Sequence, residues 1–224
     1  MKKMIIVLLF VLAGCSSGQL IPSLSQTTID WVDLVQWNDS MYVNNHDVNS
    51  LKQEWQTGKE LGVVTFMMDG KAGTHHKVKN GDATYLPKGT KIYEMAGYDP
   101  AFRIIADGRV FEVDEPAEAE TLGDFLDIDG KVESVTFLDY GDDSIVGQLS
   151  DDEAQPFIEE LLALDYQAYD TIYKETKGQQ IFVEIALSDG TTTRTGYYPD
   201  SNIIRYGAFV SEKLTDIIEQ ALAE

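Results

Sequence analysis

His75 and His76, in the stretch KAGTHHKVKNGD, are the side chains best suited to metal binding or to general base work. Adjacent residues on a strand point to opposite faces, so the pair cannot hold one ion unless it sits in a loop. Asp69 and Asp82 are nearby, but not at a recognisable ligand spacing. An exposed loop is therefore the favoured reading, with a metal site or a catalytic histidine as the alternative. His46, in NNHDVN, also reads as loop. Asp127-Ile128-Asp129-Gly130 has the letters of a calcium loop, but aligning Gly130 with the sixth loop position puts Phe125 first and Thr136 twelfth. Both positions need acidic oxygen donors, so an Asp-Gly turn entering a strand is preferred. Asp142-Asp143 reads as a turn, and Asp151-Asp152-Glu153 as acids in the first turn of a helix. No nucleophile elbow, no zinc-protease motif and no phosphate loop occurs in the sequence. With 38 acidic residues, sequence alone cannot pick out a hydrolytic carboxylate pair.

The single cysteine, Cys15, has no second thiol for a disulfide. Its setting explains it better. Lys2 and Lys3 precede an apolar run from Met4 to Leu12, followed by the small residues Ala13 and Gly14. That order is the plan of a secretory signal peptide, and the run is shorter than the ~20 residues a permanent span needs. Leu12-Ala13-Gly14-Cys15 resembles the bacterial lipobox at all four positions. The resemblance implies cleavage before Cys15, leaving residues 1–14 as a discarded signal, and a diacylglycerol joined to the Cys15 thiol. Ser16 follows the cysteine, where a Gram-negative inner-membrane retention signal would have Asp. The expected place is the extracytoplasmic face of the cell membrane, lipid-anchored, in a Gram-positive cell by preference.

The formal net charge is −21. Cleavage would remove two of the 17 basic residues and none of the acidic ones. That balance argues against a nucleic-acid partner and against a polybasic contact with anionic lipid. No cofactor is implied.

Two aromatic and arginine clusters are candidate binding surfaces. One holds Tyr98, Phe102 and Arg103; the other holds Tyr197, Tyr198, Arg205 and Tyr206. Turn chemistry at Pro87-Lys88-Gly89 and Asp99-Pro100 accounts for much of the first without a ligand. A Tyr/Arg surface could equally take a sugar face or an envelope protein. The letters LPKGT, IYE and GYDPAFR, with the lipobox and a polar tether, resemble secreted lipoproteins of Bacillus-type bacteria. The resemblance implies an envelope protein and carries no catalytic residues with it.

The elements that must position these residues divide at an acidic stretch. Residues 15–28 read as the lipidated N-terminus and a flexible tether, 29–114 as a β-rich domain, 115–130 as an acidic connection and 131–224 as an α+β domain. In the first part, IDWVDLVQW, MYVNN, ATYL, TKIYEMA, FRIIA and RVFEV are short strands, and LGVVTFMM is a buried-strand run. Turns punctuate them, best of all Asp107-Gly108, and predict an antiparallel barrel or sandwich. In the second part, VESVTFLDY, SIVGQL, IFVEIALS and TTTRTGYY are strands, the last two joined at Asp189-Gly190. Ser150 and Glu153 form a capping box, and Ala154, Phe157, Ile158, Leu161 and Leu162 share one helix face. Leu214, Ile217, Ile218, Ala221 and Leu222 share another after Ser211. Helices packed on an antiparallel sheet are expected there.

Together these readings favour a lipid-anchored envelope protein with a non-catalytic, ligand- or protein-binding ectodomain. An envelope hydrolase using His75 or His76 with a carboxylate is one alternative. An accessory subunit stabilising a membrane complex is another.

Overall fold

Asn38 and Asp39 both adopt the left-handed conformation, at φ 50° and 60°, and fold the chain back on itself between its first two strands. They join β1 (Leu34–Trp37) to β2 (Ser40–Asn44), with Trp37 opposite Ser40. The computed structural model describes residues 32–73 and 75–223, with only the backbone of Tyr169 among them. Cys15, residues 1–14 and the stretch 15–28 lie outside the described residues. After β2 come α1 (His46–Ser50), β3 (Thr57–Val63), β4 (Phe66–Met67), β5 (Asp82–Ala83), β6 (Lys91–Met95), β7 (Arg103–Ala106) and β8 (Arg109–Glu115). The second half holds β9 (Val132–Asp139), β10 (Ile145–Gln148), α2 (Asp151–Leu162), α3 (Tyr169–Glu175), β11 (Ile181–Leu187) and β12 (Thr192–Tyr198). It ends with β13 (Ile203–Ile204), β14 (Ala208–Phe209) and α4 (Glu212–Ala223).

The architecture is mixed α+β and mostly strand, as the sequence predicts. The first sheet has eight strands in the order β3-β6-β7-β8-β2-β1-β5-β4 and curls into a half-barrel. All its pairings are antiparallel except β4 with β5. Asp107-Gly108 turns β7 into β8, with both residues left-handed and Ala106 opposite Arg109. LGVVTFMM is not one buried strand. β3 is largely exposed, and at Val64-Thr65 the chain leaves one edge of the sheet for the other. Val64 donates its backbone N–H to Thr90 O at 2.8 Å, and Thr65 donates to Gly81 O at 2.8 Å. The two edges therefore meet at this corner, where Trp37 lies against Gly62.

The second sheet is antiparallel, in the order β10-β9-β11-β12-β13-β14. One face carries Val135, Phe137, Val183 and Ile185, all fully buried. Ser150 caps α2 with the reciprocal bond to Glu153, and Phe157 meets Phe137 edge to face at 6.1 Å. Leu214, Ile218 and Ala221 are the buried residues of α4. Gly147 lets this helix sit against β10, since a Cβ there would fall 2.5 Å from Ala221 O. The acidic connection does more than join the halves. Leu122, Phe125, Leu126 and Ile128 are buried, and Leu122 and Tyr166 exchange backbone bonds across to Leu164 and Glu120. One hydrophobic cluster consequently runs from Val35 and Phe111 through Phe125 to Phe157 and Ile218. A satellite of Val48, Met95, Ile105 and Val110 lies under α1.

Candidate functional site

β7 and β8 alternate their side chains. Ile104 and Phe111 face the main core, and Arg103 and Glu112, opposite each other in register, face the second sheet. Arg103 is fully buried, which a guanidinium tolerates only when its donors are satisfied. Its Nε and Nη2 donate to Glu112 Oε2 at 3.0 and 2.9 Å, a forked ion pair. Nη1 donates to Thr191 Oγ1 at 2.8 Å, and Nη2 also donates to Thr192 O at 2.7 Å. The Phe102 and Tyr98 rings lie 4.6 and 4.9 Å from the guanidinium carbon.

Glu112 gathers further donors. Asn45 Nδ2 donates to Oε2 at 3.0 Å, and the Thr193 hydroxyl donates to Oε1. Thr193 Oγ1 is also 2.6 Å from the Tyr206 hydroxyl. Thr193 and Thr195 are buried residues of β12 and Thr191, just before it, is buried too, so a run of threonines supplies the second sheet's half of this seam. Burial, reinforced by the Glu112 charge, drives the Tyr206 hydroxyl far above the usual tyrosine range. Tyr98 closes one end, donating to Asp189 Oδ2 at 2.8 Å; burial pushes its pKa up to about 12.

Above this floor opens a cleft of about 270 Å³, lined by Asn45, His46, Asp47, Glu112, Asp114, Arg205 and Tyr206 among others. Asn45 caps α1 by accepting the Val48 N–H at 3.0 Å, which fixes His46 and Asp47 at the rim. Arg205 is exposed, and among the described residues its guanidinium makes no hydrogen bond or ion pair. It also borders a smaller cleft of about 150 Å³ with Tyr198, Gln180 and Ile172.

The two clusters thus have one meeting place. Arg103 from the first and Tyr206 from the second join through Glu112 and Thr193. Phe102, Arg103, Tyr197 and Tyr206 are buried, Tyr98 and Tyr198 are half-buried, and Arg205 alone of the seven is exposed. Tyr197 is apart from the floor, donating to Asn202 Oδ1 at 2.9 Å. Glu112, Asn45 and Thr193 had no signal of their own in the sequence. His46, read as loop, opens α1 and lines the cleft.

His76 and Asp82 form a separate pair, Nε2 to Oδ2 at 2.7 Å, with the His76 ring 5.2 Å from Phe66. Asp82 is fully buried; Oδ2 also accepts the Lys79 N–H at 3.1 Å, whereas Oδ1 has no partner among the described residues. His75 is exposed. Asp127 accepts bonds from the Asp99 N–H and from Lys131, as an ordinary turn residue does. Among the described residues no group of three or more His, Cys, Asp or Glu is placed to hold a metal. No helix among them is long and apolar enough to cross a membrane. Comparison with models of protein families, with curated proteins and with solved structures found no match to the chain.

Proposed function

We propose that this chain is a bacterial lipoprotein, held at the outer face of the cell membrane by diacylglycerol on Cys15, whose ectodomain binds a polar envelope ligand in the cleft between its two sheets. The supporting observation is the cleft floor. Glu112 is fixed by Arg103, Asn45 and Thr193 before any ligand arrives, so little ordering cost falls on binding. The rim offers both signs of charge, with Arg205 opposed by Asp47 and Asp114, together with the Asn45 amide and the Tyr206 ring. That mixture suits a ligand rich in hydroxyl and amide groups. At about 270 Å³ the space is just under the roughly 300–1,000 Å³ of ordinary small-molecule sites, which fits one sugar-sized group of an envelope saccharide.

A photoreactive amino acid placed at Asp47 or Asp114 in intact cells tests this. Saccharide-bearing adducts that disappear with Arg205→Ala are expected. Absence of adducts at both positions would sink the cleft as the site. The anchor has its own test, because labelling with an alkyne fatty acid should mark the wild type and vanish in Cys15→Ser. The His76–Asp82 contact favours a second reading, an envelope hydrolase with His76 as base and Asp82 as its orienting acid. Hydrolysis of envelope polymers by the purified protein, abolished in His76→Ala at unchanged thermal stability, would put that reading first.

A further inference from the structure

The whole-chain charge conceals a sharp division. Residues 52–91 carry seven lysines and four acids, whereas residues 92–224 carry eight basic and thirty acidic residues. Four of these lysines, Lys77, Lys79, Lys88 and Lys91, lie around the corner where β3 passes into β4. Gly89 donates its N–H to Val64 O at 2.8 Å, which brings Lys88 alongside the corner. Thr65 and Phe66 both donate to Gly81 O, which brings Lys79 to the other side, and Val63 is in register with Lys91. The His76 ring against Phe66 places Lys77 next to them. The lysines named are exposed. Of the acids here, Glu60 pairs with Lys91 at 2.8 Å, Asp82 is buried against His76 and Asp39 is bonded to Asn80, leaving Glu54 and Asp69.

Apolar side chains stand among these lysines. Val63 is 44% exposed, Val78 36% and Tyr85 43%. Lysines interleaved with exposed aliphatic and aromatic groups match the two components of an interfacial membrane contact: attraction to anionic headgroups and shallow burial of apolar area. The path of the chain supplies a third observation. Thr84 Oγ1 donates to Val32 O at 2.6 Å, so the chain enters the described structure beside Tyr85. From Cys15 to Val32 it can reach at most about 60 Å even when fully extended.

We propose that this surface, centred on Val63, Lys77, Val78, Lys79, Tyr85 and Lys88, seats the domain on the anionic headgroup layer next to its own anchor. The acidic half then faces away from the bilayer. This orientation rests on lipidation of Cys15 as read above. It reverses the expectation from net charge that anionic lipid would be avoided, because a bilayer meets a local surface rather than a total.

The test uses the full-length protein in vesicles of phosphatidylglycerol and phosphatidylcholine, or of phosphatidylcholine alone. An environment-sensitive dye is attached at Val78→Cys or, on α2, at Asp152→Cys, and quenched by brominated lipid. In anionic vesicles quenching at position 78 should exceed that at 152 several-fold. It should fall to the level at 152 in neutral vesicles and in the Lys77→Glu/Lys79→Glu/Lys88→Glu variant, whose circular dichroism and melting should match the parent. Equal quenching at the two positions, or no dependence on lipid charge, overturns the proposal. A dye response to soluble poly(glycerol phosphate) as large as that to vesicles would assign the patch to a polymer and also overturn it. The mass of the mature chain reports the anchor separately. If Cys15 proves unmodified, flotation of the same protein with anionic but not neutral vesicles still supports the patch, and failure to float overturns it.

Discussion

Glu112 accepts four hydrogen bonds while its side chain is only 12% exposed, and its partner Arg103 is not exposed at all. A buried pair of this kind is a weak source of net stability, since both charges have lost their water. Removing one member is another matter. Glu112→Ala leaves the Arg103 guanidinium buried against two threonine oxygens and two rings, and should cost about 3–5 kcal/mol in urea unfolding. Arg103→Met with Glu112→Leu removes both charges and should cost less than Glu112→Ala alone. Two tyrosines, Tyr98 beside Arg103 and Tyr42 in the half-barrel core, report on burial through pH. Burial is the largest cause that raises Tyr42 and Tyr98, each to about 12 from the usual 10.0. A group whose folded pKa is raised contributes stability that is complete below its unfolded pKa and is lost as pH rises through the folded one. Stability should therefore decline between pH 10 and about 12. Phenolate absorbance at about pH 12 should include a late step from Tyr42 and Tyr98 that is lost in Tyr42→Phe/Tyr98→Phe.

At the level of elements, the tightest fit is α4 on β10. A Cβ at Gly147 would lie 2.5 Å from a backbone carbonyl of the helix, and a backbone cannot rotate away as a side chain can. Gly147→Ala should destabilise by about 1–3 kcal/mol. Gly196→Ala meets only the end of Gln180, so it should cost clearly less in the same denaturation experiment. The elements also show where the sequence was readable. Periodicity and caps exposed α2 and α4, and Asp107-Gly108 exposed the β7–β8 hairpin. The five-residue α1 and seven-residue α3 are too short to carry a stripe. LGVVTFMM misled because an apolar run has no letter for a corner between two sheet edges. Of the site, Arg103 and Tyr206 could be singled out by type, but their meeting could not. It depends on Thr193, which as a residue in TTTRT looks like any other strand former.

The described residues share one principal core, although their two sheets derive from successive halves of the chain. Circular dichroism and tryptophan fluorescence should accordingly report a single, coincident unfolding transition in urea. Two separated transitions would show that the halves hold together independently.

The seam also sets a schedule. Arg103 is completed by Thr191, 88 residues further along, and Asn45 by Thr192, 147 residues further. For a chain delivered across a membrane from its N-terminal end, the half-barrel emerges long before these partners do. Until the β11–β12 hairpin has followed, the forked ion pair is open on one side and the barrel face is wet. Were the chain exported as proposed above, final closure would be a late event of that export, and the interval before it the time of greatest need for shelter from neighbours.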